Sequence, residues 1–163
     1  MVYSDDFLEA YNVPQFETLV PFLTVGEGWG EREVGPNGTF RWMGHEAELV
    51  TQSTVAQTAY LTFRIAGLGP ERTLRIYHGS IQIFDEKVGA LREVRLGPLD
   101  LPPGKSTLRF VSPEGTVSPA DLGDPGDPRE LSFAILDAKL EAEGPSGMYT
   151  RPQQGKRQAG VDN

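Results

Sequence analysis

In the run Tyr60-Leu61-Thr62-Phe63-Arg64-Ile65, Leu61, Phe63 and Ile65 fall to one side of an extended backbone and Thr62 and Arg64 to the other. Only a strand has a two-residue side-chain period, so the run predicts a half-buried strand of an antiparallel sheet. A Gln/Ser/Thr linker leads into it. The pattern recurs over residues 73–77, with Leu74 and Ile76 inside, and over residues 80–84, the two joined at His78-Gly79-Ser80 as a hairpin. It returns over residues 106–111 with Leu108 and Phe110, and more weakly over residues 91–96. Further strands are expected near residues 20–25, 39–43 and 46–51.

Nothing longer survives, because 19 Gly and 13 Pro cut the chain of 163 residues into short pieces. Residues 99–104 read as a turn-rich connector, and residues 112–127 as a long loop holding Pro113, Gly115, Pro119, Gly123, Pro125 and Gly126. The last strand, residues 131–140, changes parity midway. Leu131, Phe133 and Ile135 share one face, whereas Leu136, Ala138 and Leu140 continue on the other. A bulge near Ile135 or Leu136, or burial of both faces, would account for the slip. Ser4 caps a short helix that stops at Asn12-Val13-Pro14. The expected organisation is a helix and lead-in over residues 1–18, a domain over 19–143 and a disordered or partner-bound tail over 144–163. About nine short strands without a long helix predict an all-β, single antiparallel β-sandwich in jelly-roll order.

Charge and composition narrow the function. A formal net charge of -8 repels phosphate backbones, so nucleic-acid binding is disfavoured and a sugar, a cation or a basic protein fits better. The basic tail residues Arg151, Lys156 and Arg157 are too few to reverse this; contact with a subunit or an anionic surface is their expected use. Without cysteine there is no disulfide, thiolate metal site or cysteine nucleophile. No apolar run approaches the roughly 18 residues of a membrane span, so no membrane insertion is expected. Acidic residues follow Met1 where a signal peptide would be basic, and the chain reads as a piece cut from a larger protein. No Gly-x-Ser-x-Gly elbow is present, and His45 and His78 have no second ligand at metal spacing.

Two patches carry a resemblance. Gly28-Trp29 with Glu31, then Phe40-Arg41-Trp42 and the strand bearing Ala47 and Leu49, form the first. Asp127-Pro128-Arg129-Glu130-Leu131-Ser132-Phe133 forms the second, with Ser132 at a position more usually Gly. Over residues 19–142 the chain resembles the β-sandwich accessory, carbohydrate-binding-like domains of bacterial glycosyltransferases and polysaccharide-assembly proteins, such as the C-terminal domains of membrane mannosyltransferase-like enzymes. The resemblance implies an extracytoplasmic, non-catalytic module working with glycans, with the last strand near the hairpin expected around the turn Gly35-Pro36-Asn37-Gly38, which Trp29 and Trp42 flank.

The candidate ligand-binding set is therefore Trp29, Glu31, Arg41 and Trp42 together with Asp127 and Arg129. Aromatic rings suit the C–H faces of sugars, and Glu, Asp and Arg suit their hydroxyls. A structural account competes: Trp29 and Trp42 as core rings, and Arg41 or Arg129 latched to Glu31 or Asp127. Glu31 and Glu33 share a face by parity and imitate a glycosidase pair, although exposed acids on a solvated edge are the ordinary outcome. Asp121, Asp124 and Asp127, three residues apart, are weak candidates for a structural Ca2+ and are turn formers otherwise; no other cofactor is expected. The functional expectation is a glycan-binding module. The alternatives are a structural module docking onto neighbouring protein subunits and a small glycoside-active enzyme. Oligomeric state is left open.

Overall fold

Each alternating run becomes a strand, and partners far apart in sequence pair with it. The structure, a computed structural model, describes residues 20–143, so the helix expected within 1–18 and the tail 144–163 lie outside the described residues. Ten strands form: β1 (Phe22–Val25), β2 (Glu33–Gly35), β3 (Gly38–Trp42), β4 (Glu46–Ser53), β5 (Gln57–Gly67), β6 (Arg72–His78), β7 (Ile81–Val88), β8 (Arg92–Leu101), β9 (Gly104–Val111) and β10 (Phe133–Ala142). They make two five-stranded antiparallel sheets, β1-β4-β9-β6-β7 and β2-β3-β10-β5-β8. From β3 onward the chain changes sheet at nearly every connection, and the order β3-β10-β5-β8 over β4-β9-β6-β7 is that of a jelly roll. β1 and β2 add an edge strand to each sheet on the same side of the sandwich.

The inner faces follow the alternation. Ala59, Leu61, Phe63 and Ile65 of β5 are fully buried against Leu74, Ile76, Leu108 and Phe110 of the other sheet. Phe110 stands edge-on to Phe63, with ring centroids 5.5 Å apart, and edge-on to Trp29 at 5.6 Å. Such contacts add about 0.5–1.5 kcal/mol each beyond the area they bury.

Three readings change. Residues 99–104 are not simply a connector: β8 continues through Leu101, because Leu99 and Leu101 extend its inner face and are almost fully buried. Pro98 is tolerated within β8 because this strand is the edge of its sheet. β5 begins at Gln57, inside the expected linker, and the hairpin around Pro36-Asn37 is limited to β2 and β3, which leaves Trp29 in an isolated bridge outside it. In β10 both explanations of the parity slip hold. Phe133, Ala134, Ile135 and Leu136 are all buried, and the register with β5 then shifts between Leu136 and Lys139. Asp137 in the bulge has a φ of 53°, and beyond it Ala138 and Leu140 pack against the core.

The loop after β9 is tied down at several points. It holds a 3-10 turn, Pro119–Leu122, whose capping Ser118 side chain accepts from the Ala120 N–H. The buried Arg72 donates to the Gly115 carbonyl at 2.8 Å. Glu114 accepts from the Thr73 N–H with both oxygens at 3.0 Å and from the Thr73 hydroxyl at 2.7 Å. Burial, the largest single influence on this carboxyl, raises its pKa; the bonds from Thr73, from its own N–H and from Lys87 outweigh it and lower the pKa from 4.5 to about 2.

Two outcomes are expected. Phe110→Ala should cost about 3–5 kcal/mol in urea unfolding, because both neighbouring rings lose their partner. Glu114 has a depressed folded pKa, so its contribution is complete above 4.5 and fades as the pH falls from 4.5 towards about 2. Glu114→Gln should unfold more easily than the parent at pH 6, and the gap should close near pH 2. Melting curves at both values check this. With the side chain 42% exposed the gap should be modest.

Candidate functional site

The tryptophan stretch folds as two crossings of the chain. Gly28 has a φ of +90°, and a Cβ placed there would lie 2.2 Å from the Glu46 carbonyl oxygen, so only glycine lets the backbone pass this close to β4. The crossing turns Trp29 inward. Its indole N–H donates to the Glu48 carbonyl at 2.9 Å while its ring meets Phe110, and its backbone bridges to Met43. The next residue ties the segment to β3, the Gly30 N–H donating to the Trp42 carbonyl at 2.7 Å.

Strand parity then divides the candidate set. In β3, Arg41 shares the side of the buried Met43, whereas Phe40 and Trp42 face outward. Trp29 and Arg41 therefore belong to a cleft between the sheets, and Trp42 to the opposite face of the same sheet. The cleft has a volume of about 270 Å³ and opens between β1 and β2; Val25, Leu49, Ile135 and Trp29 make it apolar, and Arg32, Arg41 and Asp137 add charge. Arg41 donates to the Gly30 carbonyl at 2.8 Å. Neither Arg41 nor Glu31 forms an ion pair among the described residues. Glu31 is exposed.

On the outer face Phe40 and Trp42 stand edge to face, their centroids 5.9 Å apart. They overlook Ala66, Leu91, Ala134 and Leu136 in a shallow trough of about 150 Å³, bounded at one end by Pro36 and Asn37. Ala134 and Leu136 are each only 5% exposed, so this sheet carries apolar layers on both sides. Arg64 holds the boundary in place, donating to the Asn37 carbonyl and to Asp137, each at 2.8 Å.

Glu33 lies opposite Phe40 and shares its face. It accepts from Arg129, whose Nε and Nη2 also donate to the two oxygens of Asp127 at 2.9 and 2.7 Å. The pairing straps the segment before β10 to β2 across the intervening β3. Hydrogen bonds from the Arg129 side chain are the main cause holding the Asp127 carboxyl below its ordinary value, and bonds to Asp127 and then Glu33 push the Arg129 guanidinium up.

The structure thus brings Asp127 and Arg129 together in the latch, with Glu33 in place of Glu31, and sends Arg41 to a backbone carbonyl. Phe40, Glu33, Ala134 and Leu136 are the residues that sequence reading missed as part of the site. Phe40 was within reach, since it lies two positions before Trp42 on one strand. Among the described residues no three acidic or histidine side chains converge as a metal site would require. Asp124 accepts from the Gly126 N–H at 3.3 Å and Asp127 faces Arg129, which are turn and latch roles.

The latch can be read directly in solution. Because the folded pKa of Asp127 is depressed, its favourable pairing is complete above 3.8 and is lost as the pH falls below that value. In an NMR titration the Asp127 carboxyl should have its midpoint below 3.8 and return towards it in Arg129→Leu. Equal midpoints in the two proteins would contradict the pairing.

No family model matches the sequence, and no curated protein matches it. Among solved structures it is similar to a GH26-CBM35 β-(1,4)-mannanase of Podospora anserina, at 13% identity and a TM-score of 0.47, over 77% of this chain and 28% of that one. It is similar to the C-terminal CBM6 of LamC, a marine laminarinase from Zobellia galactanivorans, at 9% identity and a TM-score of 0.44, over 74% of this chain and 98% of that one. A third is a carbohydrate-binding module of Cellvibrio mixtus lichenase 5A in complex with cellotriose, at 8% identity and a TM-score of 0.41, over 72% and 88% of the two chains. The chain spans little more than a quarter of the mannanase and nearly all of the LamC module.

Proposed function

We propose that this chain is a non-catalytic carbohydrate-binding module that receives a sugar ring on the Phe40–Trp42 platform. One observation carries the reading: two aromatic rings stand on the outer face of a sheet, where alternation ordinarily places polar side chains, with ionised groups at their margin. A ring offers rigid apolar area to the C–H face of a sugar, while Glu33, Asp127 and Arg129 supply charged acceptors and donors for its hydroxyls. A trough of about 150 Å³ is smaller than the roughly 300–1,000 Å³ that encloses a drug-sized ligand. It suits one residue presented by a longer chain. Glu33, the carboxylate next to the rings, accepts from Arg129 through one of its two oxygens, a latch contact that holds it in place beside them.

The setting we propose is extracytoplasmic, beside a glycosyltransferase or polysaccharide-assembly system. This rests on the two sequence patches that resemble accessory domains of such proteins.

Binding to a panel of soluble and insoluble glycans tests the reading. Trp42→Ala should stay folded and lose at least about tenfold in affinity, as loss of an anchoring ring does. Trp29→Ala should instead lower stability by about 3 kcal/mol, since its ring packs against Phe110. If the parent binds no glycan, or if Trp42→Ala binds as tightly as the parent, the proposal fails.

A further inference from the structure

The outer trough is walled on three sides. Its floor is low because two alanines lie side by side there, Ala134 opposite Trp42 and Ala66 opposite Ala134. The Phe40 and Trp42 rings line one flank, and Leu91, next to the Arg92 that pairs with Ile65, lines the other. At the end nearer Phe40 the turn between β2 and β3 closes the trough with Pro36 and Asn37.

This end wall is anchored from a distance. Arg64 belongs to β5, and β10 separates β5 from β3. The Arg64 guanidinium nevertheless donates to the Asn37 carbonyl and to Asp137 of the β10 bulge, each at 2.8 Å. Turn, guanidinium and carboxylate thus make a bar that crosses the strand direction. An ion pair this open to solvent adds little stability. Its effect is positional, because it ties the turn to a strand with which the turn does not pair. The wall also carries hydrogen-bonding capacity. Asn37 is exposed, and only its backbone carbonyl is taken by Arg64. Its side-chain amide makes no hydrogen bond among the described residues and offers both donors and an acceptor.

An interior residue of a glycan is linked on two sides and needs an entrance and an exit in line. A terminal residue is linked on one side and keeps a hydroxyl where the interior residue has a bond. We propose that the trough receives the terminal residue of a glycan chain, end-on against Pro36 and Asn37, and that Arg64 is the positioning residue that makes the site selective for chain ends over chain interiors. The proposal rests on the Phe40–Trp42 platform being the glycan site. The Asn37 amide meets the extra hydroxyl of the chain end, and a site that hydrogen-bonds a hydroxyl discriminates strongly against a ligand without it.

Titration calorimetry with mannan, xylan, laminarin and galactan, each fractionated by chain length, tests this through stoichiometry. The number of protein molecules bound per glycan chain should stay constant as the chain lengthens, because ends do not multiply. Borohydride opens the ring at the reducing end alone: binding that survives it identifies the non-reducing terminus as the ligand, binding that disappears identifies the reducing one, and both agree with the proposal. Asn37→Ala should stay folded and bind at least about tenfold more weakly. Arg64→Met should release the wall, so that the number bound per chain rises with chain length while the circular dichroism is unchanged. Asp137→Asn serves if Arg64→Met does not fold, since asparagine tolerates the positive φ of the bulge, and it should raise the stoichiometry in the same way. A stoichiometry that already rises with length in the parent overturns the end-on proposal, as do Asn37→Ala and Arg64→Met variants that bind as the parent does. In both cases the platform reading stands if Trp42→Ala loses binding. If the parent binds no glycan, the platform reading fails and this inference fails with it.

Discussion

The ring of Phe110 lies between Phe63 and Trp29, and the assembly of the two sheets depends on that contact. Phe63 belongs to the sheet centred on β10 and Phe110 to the one centred on β9, so the pair joins layers that have few local connections. In a jelly roll the neighbours β4 and β9, or β5 and β10, are separated by long stretches of chain, and their register cannot be set by a tight turn. It is set by which residues must be inside. A slip of one position in β9 would turn Leu108 and Phe110 to solvent and bring Thr107 and Arg109 into the core. Trp29 completes the stack at the edge. Its N–H reaches the Glu48 carbonyl there, which satisfies the polar atom of a ring otherwise placed for packing.

The same two-residue period that builds the core also takes the candidate ligand-binding set apart. Arg41 and Trp42 are adjacent in sequence and lie on opposite faces of one sheet. What collects on the outer face with Trp42 is Phe40 from the same strand, Glu33 of β2 opposite Phe40, and Ala134 and Leu136 of β10 opposite Trp42 and Phe40. Burial of Leu136 on the outer face is unusual for a half-exposed sheet, and the bulge at Asp137 follows directly after it. Beyond the bulge, Ala138 and Leu140 return to the inner side. One inserted residue thus keeps Ala138 and Leu140 on the core side, which strict alternation from Ile135 would have turned outward.

The margin of the trough is electrostatic where its floor is apolar. Arg129 is the hinge of this arrangement, forked onto Asp127 and reaching Glu33 over the intervening strand. An exposed ion pair adds little stability by itself. Its effect here is positional, because it fixes the segment entering β10 against β2 and so keeps charged oxygens and nitrogens beside the rings. The glycan reading and the latch reading therefore concern the same residues and are compatible: a pinned carboxylate is also a pre-oriented one.

How much could be read in advance divides along physical lines. Side-chain alternation in Leu61, Phe63 and Ile65, or in Leu108 and Phe110, identified strands and their inner faces, because the period belongs to the backbone and needs no partner. The parity break after Ile135 likewise announced a bulge. β2 was legible only from the Gly35-Pro36-Asn37-Gly38 turn, since Glu33-Val34-Gly35 has no apolar pattern of its own and pairs with β3 across that turn. Leu99 and Leu101 looked like turn residues next to Pro102 and Pro103 until the opposite sheet required their side chains. The site shows the same division. Composition alone determined that rings, carboxylates and arginines would be available, and the resemblance to accessory domains suggested which patches to join. Whether Arg41 would face inward and Arg129 outward, and whether Trp29 or Trp42 would be the accessible ring, was decided only by the tertiary structure. The reason is that a strand's sequence shows which residues share a face, but which face is buried depends on the sheet that packs against it.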